Sequence, residues 1–307
     1  VFVFMNMFLF AGQGSQYVGM GKALLEANPE FEYLFDTASN IIGKDMKEVC
    51  FNYEPSELAK TINSQPAIML TSLLCFEVAK KNGITFDGVA GHSLGEYASM
   101  VASNMLSLED GFKVIKARAE AMDKANGGSM YAILKASVED ITKVCQDVDG
   151  YVVPVNYNSL VQTVIAGEDT AVEKAVEVLS SMKARCVKLN VSSAFHSNIM
   201  QPCADEFYNA IKDIKFNTPN TKVYSNLLGK ELTDFSDMPS MLKSHMVSAV
   251  KFTDELSAMQ SDGFDCYIEL GPNKVLSGLV KKTLKGVNIA NIEDVASLEA
   301  TLNLLAK

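Results

Sequence analysis

The 307-residue sequence contains no tryptophan, only three histidines and only six cysteines. The cysteines are scattered, with no C-x-x-C pair and no metal-ligand spacing to histidine, which argues against a disulfide framework and a zinc site. The 27 Lys and Arg residues are outnumbered by 37 Asp and Glu residues, and the net charge of −10 argues against general nucleic-acid binding. We therefore expect reduced, mostly buried thiols, no metal site and no nucleic-acid partner.

No apolar segment approaches the roughly 20 residues that a membrane-spanning helix needs. The strongest candidate opens the chain, "VFVFMNMFLFAGQGSQ", but it has no basic region and no small-residue cleavage site. It predicts a buried first strand over the apolar residues 1–10 of a cytoplasmic protein that does not enter the membrane. Because the sequence begins with Val1, Met5 and Met7 are both candidate natural starts.

Alternating strand and helix patterns cover most of the chain and predict an α/β fold with a largely parallel sheet. The segment "MGKALLEANPEFEYLFDTASNIIG" has helical periodicity. A strongly apolar helix is expected over "SQPAIMLTSLLCFEVAKKNG", with Pro66 near its first turn and Gly83 at its end.

Residues 129–191 differ in rhythm from the rest of the chain. Four strand patterns, "SMYAILK", "YVVPVNYN", "QTVIAG" and "RCVKLNV", alternate with two helical ones, "SVEDITKVCQDV" and "DTAVEKAVEVLSSM". Their order, β-α-β-β-α-β, is that of the ferredoxin-like unit. We predict that residues 129–191 form a ferredoxin-like small domain inserted into an α/β-hydrolase-like catalytic body of residues 1–128 and 192–307.

The segment "GHSLG", residues 91–95, matches the G-x-S-x-G pattern between a short apolar strand, "GVA", and a helix, "EYASMVAS". This context predicts a sharp corner that holds Ser93 in a strained conformation with its hydroxyl above the sheet. Gly91 and Gly95 leave room where side chains would collide, and the helix N-terminus offers free N–H groups to an oxyanion. Ser93 is a candidate nucleophile, and a purely structural turn is the alternative.

One of the three histidines must be the base if Ser93 is a nucleophile, because a serine hydroxyl needs a neutral imidazole within hydrogen-bond reach. His92 adjoins the serine, where neighbouring side chains point in different directions, so we expect it to pack or to support the loop. His245 lies in a helix-like stretch and is expected at the surface or at a helix end. His196, in the loop "AFHSNIM" after a strand, is the remaining candidate.

Arg118 lies on the inward face of a predicted helix, "LSLEDGFKVIKARAEAMDKA", which Ser107 and Asp110 cap. It falls three residues after Ile115 and four before Met122, both on the apolar side. A buried guanidinium needs a partner, because an unpaired buried charge is very costly. Two partners are open: an acidic side chain in an internal ion pair, or a substrate carboxylate held by two parallel hydrogen bonds.

Six segments occur together in the order typical of one family: "GQGSQ", "QPA", "GHSLGEY", the helix that carries Arg118, "AFHS" and "ELGPNKVLSGLVKK". With them the chain resembles the malonyl-CoA:acyl carrier protein transacylases, the acyltransferases of type II fatty-acid synthesis, over nearly its whole length. The resemblance implies transfer of malonyl from malonyl-CoA to the phosphopantetheine thiol of acyl carrier protein through a malonyl-serine intermediate. It implies no metal or redox cofactor.

The resemblance also implies a role for each matching residue. Ser93 would accept the acyl group, and His196 would be its general base, oriented by backbone carbonyls near "AVKF". The backbone N–H groups of Gln13 and Leu94 would form the oxyanion hole, and Arg118 would bind the malonyl carboxylate. The substrate pocket would include Gln65, Asn156, Asn158 and Phe195.

Phe195 and two departures from the family pattern affect the expected pocket. In related polyketide acyltransferases an F-H pair accompanies malonyl selection, because a bulky ring leaves little room for a methyl branch. Leu160 and Val161 follow "NYNS", where the family often has a small or proline-containing turn, so the shape of this loop is open. Lys251 replaces the Gln or Arg of some members, a change that a backbone contact would survive.

Acyl carrier protein is the expected partner of an otherwise monomeric enzyme, and two basic clusters are candidate docking surfaces. They are Lys183, Arg185 and Lys188, and Lys274, Lys281, Lys282 and Lys285. Three other functions are open: a discrete malonyltransferase for a polyketide synthase, a serine esterase or thioesterase, and an inactive carrier-docking module. Arg118 and "GQGSQ" favour acyl transfer over hydrolysis, and intact Ser93 and His196 argue against an inactive module.

Overall fold

The computed structural model describes residues 3–307, in which ten strands and fourteen α-helices form two sheets and their flanking layers. The strands are β1 (Asn6–Phe10), β2 (Gly88–Gly91), β3 (Ser129–Leu134), β4 (Val152–Ser159), β5 (Gln162–Gly167), β6 (Arg185–Lys188), β7 (Lys222–Ser225), β8 (Lys230–Glu231), β9 (Cys266–Leu270) and β10 (Asn288–Ile292). The helices are α1 (Lys22–Ala27), α2 (Glu32–Ile42), α3 (Met46–Asn52), α4 (Pro55–Leu58), α5 (Thr61–Lys81), α6 (Gly95–Ala102), α7 (Leu108–Asp123), α8 (Val138–Asp147), α9 (Asp169–Ser181), α10 (Gln201–Ile211), α11 (Met238–Met246), α12 (Phe252–Ser261), α13 (Val275–Thr283) and α14 (Val295–Leu305).

The larger sheet is largely parallel, which confirms the prediction from the alternating strands and helices. Its strand order is β10-β9-β1-β2-β7-β8, and only β7 and β8 pair in antiparallel fashion. Side chains of β1 alternate between two cores: Phe8 and Phe10 enter one, and Met7 and Leu9 enter the other. The sheet is therefore covered on both faces, and its carboxyl edge is where open parallel sheets bind ligands.

The second sheet lies within residues 129–188 and is antiparallel. Its elements follow the chain order β3-α8-β4-β5-α9-β6, and its strands lie side by side in the order β4-β5-β3-β6. The chain leaves and rejoins the larger unit at one place, because Gly127 and Ser193 form a β-bridge. Ser193 Oγ also donates a hydrogen bond to the Gly127 carbonyl oxygen (2.9 Å).

A second backbone contact holds the small sheet against the larger unit. Val250 N donates to the Val155 carbonyl (2.8 Å), and Tyr157 N donates to the Val250 carbonyl (2.9 Å). This contact fixes β4 beside the segment that follows α11. Leu160 and Val161 form a two-residue turn between β4 and β5 with both side chains exposed, so this loop is a tight hairpin.

Three element boundaries differ from those predicted. The helical segment over residues 20–43 is broken at Pro29, because proline has no N–H for a helical hydrogen bond and restricts the residue before it. α5 begins at Thr61, which puts Pro66 inside the helix, while Gly83 (φ 75°) follows its end as expected. β1 begins at Asn6, and residues 1 and 2 of the predicted strand lie outside the described residues.

The state of the cysteines matches the expectation of reduced, mostly buried thiols. All six cysteines are free, and four of them are buried. Within residues 3–307, none of the helices combines the length and the apolar character needed to cross a membrane.

Candidate active site

Ser93 occupies the corner between β2 and α6, at the carboxyl edge of the larger sheet. Its φ angle is 53°, in the left-handed region that non-glycine residues rarely adopt, so the strained conformation is confirmed. A Cβ atom on Gly91 would lie 2.0 Å from the backbone of Gly95, and one on Gly95 would lie 2.1 Å from the Phe10 carbonyl oxygen. Strand and helix approach this closely only because both residues are glycine.

His196 lies in the loop after β6 and contacts the serine. Its Nε2 is 2.8 Å from Ser93 Oγ, and its Nδ1 lies 3.0 Å from the carbonyl oxygen of His245 and 3.2 Å from that of Ser248. Because a carbonyl oxygen only accepts, Nδ1 carries the proton and Nε2 presents its lone pair to the serine hydroxyl. Backbone carbonyls thus orient the ring, as expected, from the residues directly before "AVKF".

The surroundings of His196 keep its imidazole neutral. Desolvation is the main cause and the positive charge of Arg118 adds to it, and together they lower the pKa of His196 from its usual 6.5 to about 3. Such a base carries no second proton at neutral pH and can accept one from Ser93. The same two causes destabilise an imidazolium, which therefore needs negative charge formed nearby.

Arg118 projects from α7 to the buried side of the corner, with 1% of its surface exposed. Its Nη2 donates to Ser93 Oγ (3.1 Å) and its Nη1 to Gln65 Oε1 (2.7 Å), while the guanidinium carbon lies 5.2 Å from the centre of the Tyr97 ring. Within residues 3–307, its Nε has no acceptor in hydrogen-bond geometry, although the Tyr97 hydroxyl is a nearby polar group, and Glu96 attracts the charge only from a distance. The internal ion pair, one of the two alternatives for Arg118, is therefore contradicted.

Two backbone N–H groups beside Ser93, those of Gln13 and Leu94, donate no hydrogen bond within the described part of the chain. Leu94 directly precedes the first residue of α6, so its N–H belongs to the group that a helix start leaves unpaired. Gln13 lies in the loop after β1, and its side chain donates to Thr61 Oγ1 (3.2 Å). Both N–H groups are thus free to bind a ligand oxygen.

A cavity of about 400 Å³ opens in front of Ser93, between the larger unit and the small sheet. Six of the predicted site residues line it: Gln13, Ser93, Asn156, Asn158, Phe195 and His196. The other three do not line it: Leu94 and Arg118 are each 1% exposed, and Gln65 is fully buried behind the serine, where it contacts Arg118. No group of three or more His, Cys, Asp or Glu side chains in residues 3–307 is arranged to hold a metal ion.

The other two histidines support the corner. His92 packs against the ring of Phe252 (5.3 Å between centroids), and its Nε2 lies 2.6 Å from Asn158 Oδ1, as expected of a supporting residue. His245 lies in the last turn of α11, which confirms the helix-end alternative, and it is 1% exposed, so the surface alternative is wrong. Its ring packs on that of His196 (5.1 Å), a tertiary contact that the sequence around His245 does not reveal.

Three buried polar residues of the site were not predicted from the sequence: Asn226, Glu96 and Glu255. Asn226 follows β7, accepts a hydrogen bond from Ser93 N (2.7 Å) and donates to both carboxylates. Burial raises the pKa of Glu96 to about 8 and that of Glu255 well above its usual value. The available signal was a polar residue just after a parallel strand, in "YSNLLG", where functional groups tend to lie.

A serine on a strained corner, a neutral histidine beside it and free N–H groups nearby are features of acyl transfer through a covalent intermediate. The comparison with known families agrees with this class. The family model described as the acyl transferase domain matches residues 7–301, and the chain belongs to this family.

Relatives within the family share a narrower name. A malonyl CoA-acyl carrier protein transacylase of Bacillus subtilis (strain 168) is 36% identical over 305 residues, which cover 97% of this chain and 96% of the relative. The crystal structure of malonyl CoA-acyl carrier protein transacylase from Clostridium perfringens Atcc 13124 matches with a TM-score of 0.95 at 38% identity, over 98% of this chain and 97% of that chain. A malonyl-transacylase in complex with its type II PKS acyl-carrier protein matches with a TM-score of 0.93 at 32% identity, over 98% and 99%.

Proposed function

We propose that the chain is an S-malonyltransferase that moves malonyl from malonyl-CoA to the phosphopantetheine thiol of acyl carrier protein, supplying extender units for fatty-acid synthesis. The reaction is ping-pong, and Ser93 carries the malonyl group between the two thiols. The name of the Bacillus subtilis relative, 36% identical over 97% of the chain, supports the substrates.

The observation that carries the proposal is the uncompensated charge of Arg118 behind the nucleophile. Its guanidinium donates to Ser93 Oγ, the atom that receives the acyl group, and its Nε is buried without an acceptor among the described residues. A malonyl carboxylate is separated from the acyl carbonyl by a single methylene, so an acyl group on Ser93 keeps its carboxylate within reach of Arg118. An arginine in this position favours acyl groups that bring their own negative charge.

In the first half-reaction, Ser93 Oγ attacks the thioester carbonyl carbon while His196 Nε2 takes the hydroxyl proton. The N–H groups of Gln13 and Leu94 bind the oxyanion of the tetrahedral intermediate. The C–S bond then breaks, His196 returns the proton to the departing sulfur, and coenzyme A leaves as a thiol. The negative oxyanion offsets the cost of the imidazolium for as long as both exist.

In the second half-reaction, the phosphopantetheine thiol of the carrier enters the same cavity. His196 takes the thiol proton, and the sulfur attacks the malonyl-serine carbonyl carbon. The tetrahedral intermediate collapses with loss of Ser93 Oγ, which recovers its proton from His196. Malonyl leaves on the carrier, and the free enzyme is restored without a metal or redox cofactor.

The cavity residues define the acyl group that fits. Phe195 precedes the base and lines the cavity, where its ring restricts a methyl branch on the acyl α-carbon. Asn156 and Asn158, on β4, also line the cavity, and Asn158 is fixed by its hydrogen bond with His92. Gln65 acts from behind, because its Oε1 holds Arg118 in place.

The proposal includes an architecture and a setting. Residues 129–191 form a ferredoxin-like domain inserted into an α/β-hydrolase-like body of residues 1–128 and 192–307. The strand order β4-β5-β3-β6 and the bridge between Gly127 and Ser193, where the chain crosses twice, support the insertion. Six free cysteines support a reducing, cytoplasmic setting, and light scattering would check the expected monomer.

A discrete malonyltransferase that serves a polyketide synthase is the second candidate. The observation that favours it is the match, at 32% identity, with a malonyl-transacylase in complex with its type II PKS acyl-carrier protein. Both candidates use the same chemistry and differ only in the carrier. A serine thioesterase or esterase is less well supported, because its acyl group would not need the buried cation of Arg118.

Intact-protein mass spectrometry after incubation with malonyl-CoA tests the function. We expect a stable malonyl adduct that disappears on addition of acyl carrier protein bearing phosphopantetheine, with malonyl recovered on the carrier. An adduct that decays equally fast without carrier would indicate a hydrolase. Comparing carriers from fatty-acid and polyketide synthesis separates the two transferase candidates.

A further inference from the structure

Asn226 lies beneath the nucleophile corner, and every hydrogen-bonding position of its side-chain amide is used. It is fully buried at the end of β7. Its Oδ1 accepts from Ser93 N (2.7 Å) and faces His245 Nε2 (3.2 Å), and its Nδ2 donates to the Gly91 carbonyl and to Glu255 Oε2 (both 2.7 Å). Ser93 N can only donate and a carbonyl can only accept, so these partners fix which way round the amide lies.

Two of these bonds bracket the strained corner. One reaches the backbone N–H of Ser93 and the other the backbone carbonyl of Gly91, on the strand side of the same turn. A non-glycine residue in the left-handed region is strained and persists only where its surroundings hold it. The Asn226 side chain stabilises this conformation through its two hydrogen bonds to the corner.

The contact between Asn226 and His245 connects the amide to His196, the general base. The ring of His245 lies against Asn226, and the backbone carbonyl of the same histidine accepts the Nδ1 proton of His196 (3.0 Å). One amide therefore touches the turn that carries the nucleophile and the residue that orients the base. The distance of 2.8 Å between Ser93 Oγ and His196 Nε2 depends on both.

Asn226 is itself held by the main chain and by two acidic side chains. Its backbone N donates to Glu96 Oε1, and its backbone carbonyl accepts from Lys251 N (2.9 Å). Glu96 comes from α6 and Glu255 from α12, so two different helices fix the position of Asn226. The amide is a rigid point in the site.

We propose that Asn226 is a positioning residue that keeps Ser93 and His196 in reacting geometry, through the corner on one side and through His245 on the other. The inference rests on the proposed function for its substrate but not for its geometry. Removing the amide frees the corner to relax and lets His245 shift. A displacement of about 1 Å between reacting groups can lower a rate by about a hundredfold.

The test measures Asn226→Ala by single-turnover acylation with malonyl-CoA. We expect the rate constant at saturating malonyl-CoA to fall at least about tenfold, with the half-saturating concentration unchanged, because the cavity wall is untouched. Asn28→Ala is the matched control: Asn28 is also buried, and its amide makes two hydrogen bonds, with the Leu24 carbonyl and with Lys81, outside the site. It should lower the melting temperature and leave acylation unchanged.

A fluorophosphonate probe separates this inference from the proposed function. The probe forms an Oγ–P bond with an activated serine and releases fluoride, while the base takes the hydroxyl proton. Wild-type protein that reacts with the probe but not with malonyl-CoA contradicts the proposed substrate, and the probe then measures the effect of Asn226→Ala. If that variant does not fold, Asn226→Asp, which keeps the shape and loses both donors, replaces it. Labelling and acylation at wild-type rates by a folded variant would overturn the positioning role.

Discussion

The two sides of Ser93 differ in almost every physical property. In front lies an open cavity of about 400 Å³, lined by neutral polar and apolar side chains from the small sheet and from loops and helices of the larger unit. Behind lies a buried group of ionisable residues, among them Arg118, His245 and Glu255, each at most 1% exposed, and Arg118 reaches from this group to Ser93 Oγ. The front is shaped to admit a ligand, whereas the back consists of ionisable side chains in a low-dielectric interior.

This difference shows that the reactivity of the serine is determined mainly from behind. Burial and the charge of Arg118 keep His196 neutral, backbone carbonyls orient it, and Asn226 holds the corner. The cavity wall contributes shape and a few amide groups. Changes behind the serine should therefore alter the chemical step and, at Arg118, which contacts Ser93 Oγ, also which acyl group reacts. Changes in front or at the mouth should alter which molecules reach the serine.

Replacing the serine itself should have the largest effect. Ser93→Ala should abolish the malonyl adduct without unfolding the protein, because the hydroxyl serves chemistry rather than packing. Ser103→Ala, at the far end of α6, removes a buried serine hydroxyl outside the site and should leave the adduct intact. Intact-protein mass spectrometry checks both, and an adduct that persists in Ser93→Ala would put the nucleophile elsewhere.

Removing the base should have the next largest effect. His196→Ala should slow acylation by about 10² to 10⁴, the range typical of a lost general base. Single-turnover kinetics with malonyl-CoA measure the change. Turnover at the wild-type rate would remove His196 from the mechanism and would leave the buried side with no role in proton transfer.

The pH dependence of acylation tests whether the buried side sets the state of the base. A folded-state pKa of about 3 means that His196 stays unprotonated far below neutral pH. The value of kcat/KM should therefore stay nearly flat from pH 7 to pH 5. A histidine with the ordinary pKa of 6.5 would be about 76% neutral at pH 7 and about 3% neutral at pH 5, a loss of about twenty-fivefold, and such a loss would contradict the account.

Charge reversal at the surface should have the smallest effect, and only on the carrier step. The lysines of both clusters and Arg185 are exposed, and Lys274 directly precedes Val275, which lines the cavity. Reversing the charge of the cluster that docks the carrier should raise the KM for the carrier in a salt-dependent way. It should leave acylation by malonyl-CoA unchanged. Two double variants serve as controls for each other, one in each cluster: Lys281→Glu with Lys282→Glu, and Lys183→Glu with Lys188→Glu. Loss of both half-reactions would point to a disturbed fold instead.

The sequence predicted the front of the site and the corner better than the back. "GHSLG" between a strand and a helix specifies the corner, because two glycines and a serine there permit little else. The inward position of Arg118 followed from helical periodicity alone. Those features are local, and local patterns are what a single sequence contains.

The buried network behind Ser93 could not be predicted from the sequence in this way. Asn226, His245 and Glu255 lie on three separate elements, and only the packing of β7, α11 and α12 brings them under Ser93. Gln65 was expected in the cavity but contacts Arg118 from behind, because α5 begins a turn earlier than its proline suggested. Side chains that form hydrogen bonds with one another across the core produce no periodic pattern in the sequence.

The selectivity of Arg118→Ala between malonyl-CoA and acetyl-CoA is the most direct test of the uncompensated cation. If the guanidinium awaits a carboxylate, the variant loses a charge-assisted contact of about 1.5–3 kcal/mol, which is about tenfold to hundredfold in kcat/KM for malonyl-CoA. Acetyl-CoA brings no carboxylate, so its transfer should hold steady or rise. A melting curve recorded alongside reports the fold. A parallel fall with both substrates and a lowered melting temperature would contradict the account, since Arg118 would then serve structure rather than substrate.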